Sequence, residues 1–412
     1  MSKASRKFTL TLWIAALGLA MAGSPALAEK KYGSDASDTE ILIGQTMPYS
    51  GPASVYGTIG KVEAAYFQKI NDEGGVNGRK LKFISLDDGY SPPKTVEQVR
   101  RLVEQDNVLL LFQTLGTAAN SAIHKYLNGK KVPHLFLATG ATKWGDPANY
   151  PWTMGFNPSY QIEGQIYAKY ILQNKPNAKI GVLYQNDDYG KDYLKGFKEG
   201  LGASAARLIV AEVSYEVTDP TVDSQIVTLK GSGADSFLNI TTPKFAAQAI
   251  RKAYDIDWKP LHFLNNVSGS VGAVLTPAGL EKSVGLITTA YIKDPTDPQW
   301  KDDAAMKDWS AFMKKYYPDG NVADAANAYG YSAAQLLVQV LKQCGDDLTR
   351  ENVMKQAASL KDVSLPLLLP GIKINTSPAD FFPFEQLRLA RFDGKGWVLF
   401  GSLVGNIPGI PP

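Results

Sequence analysis

The chain has 412 residues, with 43 lysines and arginines against 40 aspartates and glutamates, three histidines and one cysteine. A hydrophobic fraction of 44% with mixed charge describes a globular protein rather than a disordered one, and a net charge of +3 excludes the basic field that nucleic-acid binding demands. The lone Cys344 excludes an internal disulfide and reads as a small apolar residue on a helix.

At the start of the chain, Lys3, Arg6 and Lys7 precede an apolar run over 8–22, and Ala26-Leu27-Ala28 offers the small residues that a signal peptidase reads. The apolar run is shorter than the ~20 residues of a spanning helix. Residues 1–28 are therefore expected to be a cleaved secretory signal, with the mature chain beginning at Glu29 and holding no cysteine there to accept a lipid. An exported, unlipidated protein needs an outer barrier to retain it, which points to the periplasm of a double-membraned bacterium. The signal holds three of the 43 basic residues and none of the acidic ones, so the mature chain balances 40 against 40. The 384 residues left when 28 are removed from 412 exceed a usual single core and imply two domains.

Beyond the signal, short β-rich runs alternate with longer amphipathic ones. A strand at 41–44 leads through a turn-rich loop (48–60) to a helix over 62–72, which Gly74-Gly75 closes. A strand at 81–86 precedes a helix that starts after Pro92-Pro93. Further strands are predicted at 108–112, 180–184, 208–213, 236–240 and 262–264, with helices near 120–127, 162–172, 194–201, 224–229 and 246–254 between them. This alternation implies an α/β fold of parallel sheets covered by helices on both faces. Two such series are visible, over about 39–157 and 158–289. The remainder is more mixed, with a Pro/Asp-rich stretch at 293–300 expected to be a surface connection, a helix at 331–341 and β-rich segments at 387–392 and 397–399.

No catalytic constellation is present in the sequence. G-x-S-x-G, H-E-x-x-H, C-x-x-C, P-loop and G-x-G-x-x-G patterns are all missing, and no two of His124, His134 and His262 have the spacing of zinc ligands. No catalytic residue, metal site or cofactor is therefore expected. Small polar residues and glycines do gather at predicted strand ends. Gly116-Thr117 follows the strand ending near Phe112 and precedes a helix, and Ala138-Thr139-Gly140 follows Leu135-Phe136-Leu137. In parallel α/β sheets ligands bind outside the carboxyl ends of the strands, and amides at a helix N-terminus form an anion site.

Several segments carry a family pattern. Gly51-Pro52 with Tyr56-Gly57, Ile70-Asn71-Asp72-Glu73-Gly74-Gly75-Val76-Asn77-Gly78, and Leu86-Asp87-Asp88 with Pro93 are joined by Val132-Pro133, Ala168-Lys169-Tyr170-Ile171 and Gln185-Asn186-Asp187-Asp188-Tyr189-Gly190. On these the chain resembles the leucine/isoleucine/valine-binding protein family, type I periplasmic receptors of ABC importers, over essentially its whole mature length. The resemblance implies two Rossmann-like lobes joined by a three-segment hinge, with ligand trapped between them. It divides the chain into lobe one, 39–157 and 290–384, and lobe two, 158–289 and 385–412. It also places the ligand carboxylate at Gly116, Thr117, Ala138, Thr139 and Gly140, with Tyr56 on lobe one and Tyr189 on lobe two closing over it.

The family pattern is departed from at two positions. Asn266 stands where amino-acid-binding relatives place an acid against the ligand ammonium, and Thr242 replaces a lobe-two tyrosine. An ammonium buried without a carboxylate partner is costly. The leading expectation is therefore a receptor for a small carboxylate without a free α-amino group, such as an aromatic, aliphatic or keto acid. A branched-chain amino-acid receptor is second, and a hydrolase or a ligand sensor more distant. The expected partners are the ligand and an inner-membrane ABC permease with its ATPase, and the protein is expected to act as a monomer.

Overall fold

The computed structural model describes residues 30–33 and 35–405, so the expected signal and its cleavage site lie outside the described residues. The first sheet contains β1 (Glu40–Met47), β2 (Lys80–Asp87), β3 (Leu110–Phe112), β4 (His134–Leu137) and β5 (Thr153–Gly155), ordered β2-β1-β3-β4-β5 with every pairing parallel. The helices α1 (Gly57–Asp72), α2 (Pro92–Glu104) and α3 (Thr117–Lys130) connect them. Parallel strands require such crossovers, and the near-continuous apolar runs of β3 and β4, fully buried, are what a sheet covered on both faces needs.

The chain then crosses to a second sheet. There α4 (Tyr160–Asn174), β6 (Ile180–Gln185), α5 (Asp188–Leu201), α6 (Ala205–Leu208), β7 (Ile209–Tyr215), α7 (Asp223–Gly231), β8 (Ser236–Ile240), α8 (Pro243–Asp255), β9 (Leu261–Leu264), α9 (Thr276–Ala278) and β10 (Ile287–Ala290) follow in order. It crosses back to lay α10 (Ala304–Tyr316) and α11 (Ala325–Cys344) against α1, where Tyr66 meets the rings of Phe312 and Tyr331, and α12 (Arg350–Ala357) packs on α11. A third crossing delivers β11 (Leu387–Phe392) and β12 (Trp397–Val404), completing the order β12-β11-β10-β9-β8-β6-β7. The α/β architecture is as the alternation implies, with one difference: β11 and β12 run antiparallel. The short turn between Phe392 and Trp397 has no room for the crossover that parallel pairing needs.

The crossings are pinned to one another by aromatic contact. The Phe384 ring, on the third crossing, lies 5.0 Å from Phe156 on the first and 5.3 Å from Tyr291 on the second. Away from this joint the two halves also touch. Tyr56 Oη donates to Val267 O at 3.0 Å, Ser270 Oγ donates to Asp324 Oδ1 at 2.8 Å, Gly272 N donates to Ala323 O at 2.9 Å, and Lys143 pairs with Asp188 at 2.9 Å. These bonds close the two halves over the space between their strand ends.

Candidate functional site

A cavity lies between the halves, at the carboxyl ends of β2, β3 and β4 on one side and of β6, β8, β9 and β10 on the other. About 150 Å³ of it is open to the centres of water molecules. Its wall takes residues from both sheets and from the second crossing, and is largely aromatic and aliphatic.

The β3–α3 turn forms one end. Gly116 has φ +99° and precedes the helix, whose first turn no side chain caps. Asn120 Nδ2 donates to Thr114 O and Gly116 O, at 2.9 and 2.8 Å, which ties up the loop carbonyls. Thr117 lines the cavity, and its Oγ1 is 2.7 Å from Thr139 Oγ1. Ala138 also lines it, and accepts from Gly116 N at 3.3 Å.

Thr139 and Gly140 stand behind this wall rather than on it. Thr139 Oγ1 accepts from Ala141 N at 3.2 Å, and a Cβ on Gly140 would come 2.3 Å from Pro158 O, so the site holds a glycine because two backbones cross there. Thr139→Val is consequently expected to act through Thr117. Losing one hydroxyl partner, worth about 1 kcal/mol, should weaken a carboxylate ligand roughly fivefold by calorimetry. It should also lower stability by about 1 to 2 kcal/mol, because the buried Ala141 amide loses its acceptor. An unchanged affinity would show that Thr117 needs no support.

Tyr56, Tyr189, Thr242 and Asn266 all line the cavity. Tyr189 sits in the first turn of α5, which Asp187 caps, and its Oη accepts from Asn265 Nδ2 at 2.7 Å. Thr242, the residue before α8, donates its N–H to Tyr215 Oη at 3.0 Å. Asn266 is held by two bonds: its N–H donates to Glu163 Oε1 at 2.7 Å, and its Nδ2 donates to Thr289 O. Glu163 is itself buried, accepting from Tyr167 and Tyr193 hydroxyls at 2.6 Å each, and burial raises its carboxyl above the usual range. Burial likewise pushes the phenols of Tyr56 and Tyr189 well above their ordinary value, so both are neutral hydrogen-bonding groups.

Sequence reasoning missed other parts of the wall. Tyr90 packs over Gly116 with φ +61°, and its N–H is held by Asp88 Oδ1 at 2.9 Å. It lies three residues past the end of β2, so the rule that ligands gather at strand ends pointed to it. Tyr160, Asn157, Tyr329, Ser270, Trp300 and Trp397 also line the cavity, as do Asp294, Asp297 and Asp324. Asp88 and Asp187, the acids nearest the family motifs, are occupied as local caps. The stretch 293–300, expected at the surface, instead brings Asp294, Asp297 and Trp300 to the cavity wall, because the second crossing and the start of α11 reach it only through the tertiary fold.

Nothing on this wall is arranged for covalent chemistry. His134 and His262 are buried in strands and burial pulls both down to about 3, which makes them neutral structural groups. Among the described residues no cluster of three metal-ligating side chains occurs, and no helix is long and apolar enough to cross a membrane. The arrangement can enclose an organic ligand and hydrogen-bond its polar ends.

Comparison with known proteins agrees with this geometry. The family model described as periplasmic binding protein matches residues 40–396. A Leu/Ile/Val-binding protein homolog 1 of Brucella abortus is 25% identical over 331 residues, covering 79% of this chain and 84% of that protein. A branched-chain amino-acid ABC transporter protein from Thermus thermophilus, solved with valine bound, superposes with a TM-score of 0.80 at 16% identity over 89% of this chain and 97% of that one. A fatty-acid ABC transporter substrate-binding protein from Thermomonospora curvata gives 0.78 at 22% identity over 92% and 95%. The last two likenesses show a shared fold.

Proposed function

This chain belongs to the periplasmic binding protein family, and we propose that it captures an organic acid between two lobes and delivers it to an inner-membrane ABC permease and its ATPase. As a member of that family it is a substrate-binding component of ABC transport and not an enzyme. One observation carries the ligand reading: an apolar cavity bounded by both sheets meets, at one end, a helix N-terminus that no side chain caps. First-turn amides and the positive end of the helix dipole favour a carboxylate there.

Tyr90 packs over that turn, and Tyr56, Tyr189, Thr242 and Asn266 line the same cavity, all uncharged. An α-ammonium seated among them would lack a counter-charge. The reading therefore favours an aromatic, aliphatic or keto acid. A branched-chain amino acid is the second reading, supported by the names of the relatives and by the carboxylates elsewhere on the cavity wall. Residues 39–157 and 290–384 act as lobe one in this account, and 158–289 and 385–412 as lobe two. They close about the three crossings that Phe384 joins. The mature protein works as a periplasmic monomer after removal of residues 1–28, and mass spectrometry of periplasmic extract is expected to find an unlipidated chain starting at Glu29. A full-length species held in the inner membrane would contradict that.

A thermal-shift screen against amino, aromatic, aliphatic and keto acids tests the ligand reading. Ligand at a hundredfold excess over Kd stabilises the folded state by about 2.7 kcal/mol, so a hit should raise Tm by several degrees in proportion to the logarithm of its concentration. No shift with any carboxylate would overturn the reading.

A further inference from the structure

Part of the cavity wall is acidic, with Asp294 and Asp297 from the second crossing and Asp324 from the start of α11. Asp324 is 6% exposed, caps α11 through Oδ1, and takes the Ser270 hydroxyl on that same oxygen. Its Oδ2 has no hydrogen-bond partner among the described residues. Asp294 repeats the pattern: Oδ1 accepts from Thr296 N and Oγ1, and Oδ2 is unpartnered. Both residues line the cavity. Among the described residues no basic side chain pairs with Asp294, Asp297 or Asp324. Lys293, the one lysine on the wall, is spent elsewhere, bonded to Asp303 at 2.8 Å with its ammonium 5.2 Å from the Trp300 ring centre. Burial pushes Asp294 up to about 6, and Asp297 and Asp324 add to the shift, as expected for carboxylates crowded without a cation. The rings of Tyr291 and Tyr329 also line the cavity, and aromatic faces favour a cation.

We propose that the cavity selects a bifunctional ligand: a carboxylate at the α3 N-terminus, an apolar body, and a cationic nitrogen at the far end held by Asp324 and Asp294. This rests on the carboxylate reading above and narrows it, because the nitrogen is separated from the carboxylate rather than attached at the α-carbon. Desolvated charge pairs discriminate strongly against partners that leave the carboxylate unpaired.

The test is calorimetry with matched straight-chain acids of four, six and eight carbons ending in an ammonium, a hydroxyl or a methyl group. At one length or more, the ammonium-ended acid is expected to bind at least tenfold more tightly than its methyl-ended counterpart. Asp324→Asn should erase that preference, read as the ratio of the two affinities, because asparagine keeps an oxygen for Ser270 but carries no charge. Asparagine is as good an N-cap as aspartate, so α11 keeps its start, and Asp294→Asn provides a second variant with the same expected direction. Methyl-ended acids binding as well as ammonium-ended ones at every length, or a preference that survives both substitutions, would overturn the proposal and leave the carboxylate reading standing. Failure of every acid in the series to bind would overturn both.

Discussion

A 2-oxo acid is expected to bind this protein at least tenfold more tightly than the α-amino acid of the same skeleton. In the proposed pose the carboxylate sits at the α3 N-terminus, and the wall offers the α-substituent phenols that burial holds neutral, together with Thr242 and Asn266. Closure removes the water that would otherwise solvate an ammonium, and an amide carbonyl accepts a hydrogen bond without neutralising the charge. A tenfold ratio corresponds to about 1.4 kcal/mol, a modest fraction of what a fully uncompensated charge costs. Asn266→Asp should narrow or reverse the ratio. Asn266 Nδ2 donates to Thr289 O, so the variant loses that bond and sets two oxygens together. Absolute affinities should fall for both ligands, and the ratio is the informative quantity. A wild-type preference for the amino acid would make the branched-chain amino-acid reading the leading one and assign its counter-charge to another acid on the wall.

Gly116→Val is expected to weaken ligand binding a hundredfold or more. At φ +99° a β-branched residue is strained, and even a Cβ would stand 2.8 Å from a Tyr90 ring carbon. The turn cannot rotate away freely, because Gly116 N is bonded to Ala138 O and Gly116 O to Asn120. Both the α3 amides and Tyr90 should therefore move. Gly129→Ala, on the same helix with open space around it, should leave binding unchanged and raise stability by about 0.4 to 1 kcal/mol. Calorimetry with circular dichroism separates lost binding from lost folding. A folded Gly116→Val variant with near-normal affinity would remove the β3–α3 turn from the site.

Much of the architecture was legible because strand and helix periodicities differ. The strands at 236–240 and 387–392 fall where the pattern put them. Helix starts were harder to place. The helix expected from 194 begins at Asp188, because its first turn is polar and is started by the Asp187 cap rather than by apolar spacing. The three-residue β5 and the threonine-rich β10 gave no usable run, and α10 lay in the stretch read only as mixed. Of the predicted site, Tyr56, Gly116, Thr117, Ala138, Tyr189, Thr242 and Asn266 converge on one cavity, since strand ends and family motifs both marked them. Thr139 and Gly140 share the same strand end but are absent from the wall, Thr139 bonding Thr117 and Ala141 while Pro158 crosses against Gly140. The acids at 294 and 324 were invisible because they come from distant segments whose local sequence says only turn and helix cap.

Capture by closure without chemical change requires the two lobes to compact around an unaltered ligand, which small-angle scattering of the mature protein reads. The hit from the thermal-shift screen is added to saturation and recovered afterwards for mass analysis. A smaller radius of gyration with ligand than without it, and a ligand recovered intact, are expected. Binding with no compaction, or recovery of a chemically altered product, would contradict capture by closure without chemical change.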